Sequence, residues 1–444
     1  MSSTRRTNRT DSTHDARSQA VTDGHAADTV KPLVTALMGT DPPVRFEFWD
    51  GTALGPSDPP GVVRINSANA MRRILWSPDQ LGLGRAYVVG ELDIDGDLYR
   101  VLEALRDAVR PNVRFDPRAL QAVIGAARGL GALGPPPPPP PEEAPRIFGL
   151  RHSKARDARV VRHHYDVGND FYRIVLGPAM TYSCARFSQP DMSLAEAQAS
   201  KHDLICRKLG LHERPGERLL DVGCGWGSLA IHAATHYDVT VVGVTISQPQ
   251  VDLARQRVAE AGLSDRVDIR LQDYRDVRGE TFDAIASVGM FEHVGGRRMG
   301  LYFQRLYDLL TPTGRLLNHA ISSVDGSAMS GRSFVGRYVF PDGELIDVGT
   351  AQRAMQRAGL EIRDVESLRE HYAQTLRHWV ANLEAGWDRA VSLAGEARAR
   401  IWRLYMAGSA IGFEDGGINV HQVLGVKTTP DGDAAMPPTR RDWN

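Results

Sequence analysis

Residues 219–234, LLDVGCGWGSLAIHAA, carry an apolar run ending in Asp221, glycines at alternate positions (Gly223, Gly225, Gly227) and a continuation with helical amphipathicity. A strand, a glycine turn and a helix let a ligand approach the backbone. No side chain stands in the way, and the first N–H groups of the new helix lack intrahelical partners. A tight βα turn without a ligand has the same local pattern, so the flanking chain must decide. Other groups able to do chemistry follow further apolar runs. Thr245 and Gln250 lie at and past the end of VTVVGVTIS (239–247), Asp273 and Tyr274 close VDIRLQDY (267–274), Glu292 follows FDAIASVGM (282–290) and His319 lies in GRLLNHAIS (314–322).

The apolar runs alternate with helical patterns, QPQVDLARQRVAEAG to Gly262 and a second near 298–310. Such alternation predicts a parallel sheet wound on both faces, with ligand at the strands' carboxyl ends, where these polar groups fall. From about 322 to 412 the pattern changes to helices near 349–359, 370–384 and 387–408. This reads as an insertion that either caps the pocket and forms a tunnel or packs as a plain cap. Residues 413–427 read as a loop and terminal strand, and 431–444 as a loose C-terminus.

Ahead of this domain, residues 1–30 are rich in Ser, Thr, Arg and Asp and are expected to be a disordered tail. A small α+β domain is expected over 31–130, from FEFWDGT and VVRIN as strands and SANAMRRIL as a capped helix. Residues 131–145 contain an unbroken run from Pro135 to Pro141, a stiff linker expected to join neither core. Residues 146–162 then place Arg146, Arg151, Lys154, Arg156, Arg159 and Arg162 against one acid, Asp157. They form either a basic amphipathic helix for an anionic lipid surface or a solvated helix face.

Composition narrows the function classes. The 53 basic and 54 acidic residues leave a formal charge of −1, so no global field calls for nucleic acid. Three cysteines, Cys184, Cys206 and Cys224, without metal-type spacing suggest a reducing compartment, and no metal site is expected. No stretch reaches the ~18 apolar residues of a membrane span, and no signal peptide is apparent. The expected location is cytoplasmic, at most peripheral to the inner face of the membrane.

HYDVGNDFY, TYSCARF, LDVGCGWGSLAIHAA, GVTISQPQ, FDAIASVGMFEHVG, LLNHAIS and HYAQTLRHWVANL stand in the order found in cyclopropane-fatty-acid synthases. From about Arg146 to Lys427 the chain resembles that family of S-adenosylmethionine (SAM)-dependent fatty acid methyltransferases, which includes the actinobacterial methylene- and methyl-branching enzymes. The segment LGRAYVVGELDIDGDL (83–98) resembles the AY-x-x-G-x-x-DIDGDL stretch of the phospholipid-modifying members. One departure is the absence of an acid after the second strand, where SAM enzymes usually bind the ribose; Thr245, Ser247 and Gln250 stand there instead.

The resemblance implies a class I SAM-methyltransferase fold, Rossmann-like and doubly wound, with a helical cap insertion, preceded by the small α+β domain. It implies SAM as methyl donor, with Gly223 and Gly225 near the methionine end and Asp221 shaping the turn. Thr245 and Gln250 would meet the ribose, Asp273 and Tyr274 the adenine, and Tyr182 the methionine portion, with HYDVGND closing the site. It further implies a bicarbonate ion as general base, held by Cys184, Glu292, His319, Ile321 and Tyr372. An alkene is a poor nucleophile, and its methylation leaves a carbocation that must be shielded from water and deprotonated. Phe187, Trp226 and Phe291 are candidates to face that cation.

The expected substrate is the monounsaturated acyl chain of a phospholipid, met at an anionic membrane surface. The N-terminal domain either handles lipid or serves stability or dimerisation. Proton loss with ring closure gives a cyclopropane; a hydride shift first gives a 10-methylene chain, precursor of a 10-methyl branch, which would call for a partner reductase. A homodimer is compatible with the sequence. Two other readings are a small-amine N-methyltransferase and a non-catalytic lipid-binding subunit.

Overall fold

The computed structural model describes residues 25–108, 117–132, 134–143, 152–154, 156, 157, 159, 167–324 and 333–440. The chain forms two compact units. The first holds the residues up to Trp76 and Glu91–Pro137, the second Ser77–Gly90 and Pro138 onward. The sequence reading kept 31–130 together, but helix α3 (Gln80–Val88) packs with the second unit.

In the first unit, α1 (Ala26–Met38), β1 (Arg45–Phe48), β2 (Ala53–Leu54), β3 (Gly61–Ile65), α2 (Ala68–Trp76), β4 (Leu92–Gly96), α4 (Leu98–Ala108) and α5 (Pro117–Gly129) form an α+β arrangement. The sheet order is β2-β1-β3-β4, with β1 and β3 parallel. Strand alternation buries Phe46, Phe48, Val63, Ile65, Leu92 and Ile94. The tail expected over 1–30 overlaps α1, because the Ala26 and Ala27 N–H groups donate to Asp50 Oδ2 at 2.8 Å and Thr52 Oγ1 at 3.0 Å. Those acceptors are supplied from a distant turn, so local composition does not announce this helix start. Residues 1–24 lie outside the described residues.

The second unit is built on β5 (Glu217–Val222), β6 (Val239–Thr245), β7 (Val267–Leu271), β8 (Phe282–Val288), β9 (Leu310–Ser322), β10 (Glu361–Ser367) and β11 (Asn419–Val426). The order is β10-β11-β9-β8-β5-β6-β7, parallel from β7 through β9, with β11 antiparallel to both its neighbours. Successive residues serve opposite faces. Leu219, Val241 and Leu317 enter a core with α7 (Leu194–Leu209), α8 (Ser228–His236) and α9 (Gln248–Glu260). Leu220, Val242 and Leu316 enter another with α10 (Met299–Leu309) and α12 (Val348–Arg357).

Around this sheet lie α6 (Asn169–Leu176), α11 (Phe334–Tyr338), α13 (Arg369–Ala385), α14 (Trp387–Ala394) and α15 (Glu396–Glu414). The span expected as one helix over 387–408 breaks at Gly395, where φ is +83°. The expected insertion over 322–412 is interrupted by β10, an edge strand whose polar sequence EIRDVES hides it. Of the C-terminus expected to be loose over 431–444, residues 441–444 lie outside the described residues, and 431–440 are tied down. Ala435 O accepts from Arg315 at 2.9 Å, Met436 packs on the core and Arg440 pairs with Asp364. The prolines of 135–141 are mostly exposed, but Glu143, just past them in the expected linker, is buried, accepting from Arg85 Nε and Nη2 at 2.7 Å each and from Arg337 Nε at 2.8 Å. Most of the basic segment 146–162 lies outside the described residues. Among the described residues no helix is long and apolar enough to cross a membrane.

Candidate active site

A cavity opens at the carboxyl ends of β5–β8. Tyr182, Asp221, Gly223, Gly225, Thr245, Gln250, Asp273 and Tyr274 all line it. The turn after β5 is held by backbone: Gly223 and Cys224 N–H donate to Val244 O at 2.9 and 3.1 Å. Gly223 has φ +79°, and a Cβ there would lie 2.9 Å from Met290 Cγ, so only glycine leaves this wall open. Asp221, expected to shape the turn, does not; its Oδ2 is buried without a hydrogen-bond partner. Burial pushes its carboxyl up to about 7, with Lys201 opposing.

On the next strand Thr245 Oγ1 donates to Gln250 Oε1 at 2.7 Å and accepts from Ser247 N at 3.3 Å. These neutral groups present a hydroxyl and an amide where a ribose-binding acid would otherwise stand. Asp273 accepts from Arg275 Nε at 2.8 Å and Nη2 at 2.6 Å. Burial would raise this carboxyl, but the Arg275 hydrogen bonds outweigh it and hold it below the usual value. Tyr274 packs edge-on against Tyr302, centroids 5.3 Å apart.

Sequence reasoning missed several lining groups, among them Ser183, Lys201, Arg275 and His152. Lys201 did leave a signal, since it sits on the apolar stripe of α7 with Ala197, Leu204 and Ile205. His152 Nδ1–H donates to His293 O at 3.0 Å, a contact between segments far apart in sequence.

None of the residues expected around the general base is among those that line this cavity. Ile321 N donates to Glu292 Oε1 at 2.7 Å, while Glu292 Oε2 is buried and unpartnered. Burial pushes the Glu292 carboxyl up to about 7, against the Ile321 hydrogen bond. His319, on β9, receives the Gln422 amide nitrogen at Nδ1, 3.3 Å away, which makes it the Nε2–H tautomer; that Nε2 has no partner. Burial first, then Lys201, Lys208 and His421, hold its pKa well below the ordinary value, so it stays neutral. The Leu368 carbonyl joins Cys184 to the helix of Tyr372: it accepts from Cys184 Sγ at 3.5 Å and from Tyr372 N at 3.0 Å. Cys184 is fully buried and burial pushes its thiol up, so it is no thiolate nucleophile.

Tyr172, Tyr182, Trp379 and Trp402 pack together, with Tyr182–Trp379 centroids 5.3 Å and Tyr172–Trp402 centroids 5.2 Å apart. The Tyr182 and Tyr405 hydroxyls are 3.2 Å apart. Of the three aromatics singled out for a cation, Trp226 lines the cavity. The other two do not: Phe291 packs in the core on Phe303, and Phe187 stacks on His378. In HYDVGND, Asn169 accepts from Trp226 Nε1 at 2.8 Å, whereas residues 164–166 lie outside the described residues.

The strand order, the glycine turn after β5 and the polar groups at the strand ends define a class I SAM-dependent methyltransferase. An orphaned carboxylate, a paired hydroxyl and amide, and a glycine wall fit the amino-acid and ribose ends of that methyl donor. Residues 152–423 match the mycolic acid cyclopropane synthetase family, and the chain belongs to it. It is 42% identical over 421 residues to a probable fatty acid methyltransferase of Pseudomonas putida, covering 92% of this chain and 98% of that one. It is 36% identical to the tuberculostearic acid methyltransferase UfaA1 of Mycobacterium tuberculosis (87% of this chain, 88% of that one). It is 34% identical to the cyclopropane-fatty-acyl-phospholipid synthase of Escherichia coli (82% and 87%). A solved mycolic acid cyclopropane synthase, CmaA1, complexed with SAH and CTAB, superposes with a TM-score of 0.57 at 36% identity, covering 61% of this chain and 98% of that one. The protein is a SAM-dependent methyltransferase of the cyclopropane synthase type, acting on fatty acids or lipids.

Proposed function

We propose that this enzyme methylates the double bond of a monounsaturated acyl chain carried by a phospholipid and delivers a cyclopropane fatty acid, with bicarbonate as the base. The observation that carries this reading is that two buried groups, Glu292 Oε2 and His319 Nε2, have no hydrogen-bond partner. An acceptor and a neutral N–H donor, both buried, suit a small anion that brings its own proton. SAM would supply the electrophilic methyl, and bicarbonate a base that leaves no protein group to be alkylated.

The chain's own residues have three tasks. Glu292, fixed by Ile321 N, accepts the proton of the bound anion and so directs its basic oxygen outward. His319 donates from Nε2 and is kept in that tautomer by Gln422. Tyr182, which lines the cavity, is backed by Trp379 and Trp402, and its ring would exclude water and tolerate a passing cation. The Leu368 carbonyl ties Cys184 to the helix of Tyr372. An amine methyltransferase would need no such base, and a binding subunit would have no use for a buried carboxylate of raised pKa.

The phospholipid substrate is supported by the resemblance of residues 83–98 and by the likeness to the Escherichia coli enzyme over most of both chains. The relative named for tuberculostearic acid favours a second product, the exomethylene chain that a reductase would convert to a methyl branch. The test is mass spectrometry of fatty acids released from monounsaturated phospholipid vesicles incubated with protein, SAM and bicarbonate. A gain of one CH₂ that vanishes in Glu292→Gln supports the reading, and derivatisation separates ring from branch. No gain on competent vesicles overturns it.

A further inference from the structure

Two lysines interrupt the apolar stripe of α7, and both are only 1% exposed. Lys208 is neutralised by the sheet edge, with Asp364 at 2.8 Å and Glu366 also in contact. Lys201 has no such partner. Among the described residues its ammonium makes a single hydrogen bond, to the Ser183 hydroxyl at 2.9 Å, and no ion pair. An ammonium carries three donors, so two remain without an acceptor from the described chain. Lys201, Ser183 and Asp221 all line the cofactor cavity, and Asp221 Oδ2 is the matching orphan of opposite sign. A buried cation with spare donors and a buried carboxylate with a spare acceptor, in one cavity, are the complement of a zwitterion.

We propose that Lys201, with Ser183 beside it, seats the α-carboxylate of the methyl donor, and that Asp221 takes its α-ammonium group. This deepens the reading of the cavity as a SAM site and rests on it. The other ionisable groups around Lys201 do not compete for the role. The Cys184 and Cys206 thiols are pushed up by burial, and His202, His232 and His319 are pushed down, so all five are neutral near pH 7. Lys201 and Asp221 are left as the two groups that change charge there, each at about 7. A carboxylate beside Lys201 raises its pKa and an ammonium beside Asp221 lowers that one. Binding should therefore take up protons at pH 8 and release them at pH 6.

The experiment is isothermal titration of the whole protein with SAH and with 5′-methylthioadenosine, which lacks the amino-acid end, in buffers of different ionisation enthalpy. The expected result is that Lys201→Met weakens SAH by about 30-fold or more, as for a lost charge-assisted contact, and leaves 5′-methylthioadenosine within about threefold. Proton uptake at pH 8 disappears with it. Equal losses for both ligands, or unchanged SAH affinity and uptake, would overturn the proposal. Should Lys201→Met fail to fold, the unmodified protein still decides: decarboxylated SAH must lose the uptake at pH 8 that SAH shows, and persistence of the uptake overturns the assignment. If neither SAH nor 5′-methylthioadenosine binds the unmodified protein, it is the SAM reading of the cavity that fails.

Discussion

At the scale of single residues, Glu292 is held where its charge is unwelcome. Its folded-state value of about 7 lies above the ordinary 4.5, so its favourable contribution is whole below about pH 4.5 and is lost as pH rises through 7. Such a shift corresponds to about 3 kcal/mol at most. Glu292→Gln keeps the acceptor for Ile321 N and removes the buried charge. It should raise Tm at pH 8, leave Tm near pH 4.5 unchanged and abolish the methylated lipid; thermal scans at the two pH values test this, and an unchanged Tm at pH 8 would refute it. Much of the site was legible at this scale. Residues at strand ends are brought to one place by the topology, which is why seven of the eight positions expected for the cofactor converge on one cavity, with Tyr182 reaching it from a loop. Asp221 was legible by position but not by role, because a backbone carbonyl, that of Val244, holds the turn. Phe291, a candidate either for the cation or for plain core, proves to be core although it directly precedes Glu292.

For the elements, the glycine turn and the Glu143 cluster give opposite kinds of prediction. Gly223→Ala would strain a backbone at φ +79° and push on Met290. A cost of about 1–2 kcal/mol at the turn follows, with SAH affinity falling roughly tenfold or more by titration. Glu143→Gln touches no ligand. It leaves the Arg85 and Arg337 guanidiniums, 23% and 27% exposed, without their shared carboxylate. Stability should fall by about 1–3 kcal/mol, discounted for that exposure, with little change in SAH affinity; a urea melt beside a titration checks both. Elements set by their own sequence period were legible, including the five parallel strands. Those set by distant partners were not. β10 is paired only through β11, and its charged side chains suit an edge. The start of α1 depends on Asp50 and Thr52, and Glu143 on arginines from two remote helices.

The whole molecule is cut at a place that chain order conceals. α3 belongs with residues 138–440: Phe334 lies against Gly84, and Tyr87 accepts from Arg403 at 3.0 Å through its hydroxyl and from Arg400 at 3.3 Å through its carbonyl. A chain shortened to begin at Pro138 would lose α3 and leave Glu143 without one of its arginines. Its expected behaviour is a Tm lower by about 5 °C or more, or aggregation, while a chain retaining 77–90 through a flexible joint to Pro138 recovers the loss. Thermal scans of the two against the full chain test this; equal Tm values would show that α3 is dispensable. Such a division cannot be read from a proline run, which marks a stiff stretch of chain and says nothing of which side each earlier helix packs on.

The same arrangement has a consequence in time. Tyr87 and its partner Arg403 are 316 residues apart, so a ribosome that adds about 5–20 residues per second releases α3 some 16–60 s before its partner exists. Until α11 and α15 have emerged, the apolar face of Leu81, Ala86, Tyr87 and Val88 lacks the two helices that pack against it. A newly made chain is thus exposed to chaperones and proteases at this helix for most of its synthesis, and slowing elongation late in the message should lower the yield of folded enzyme more than slowing it early.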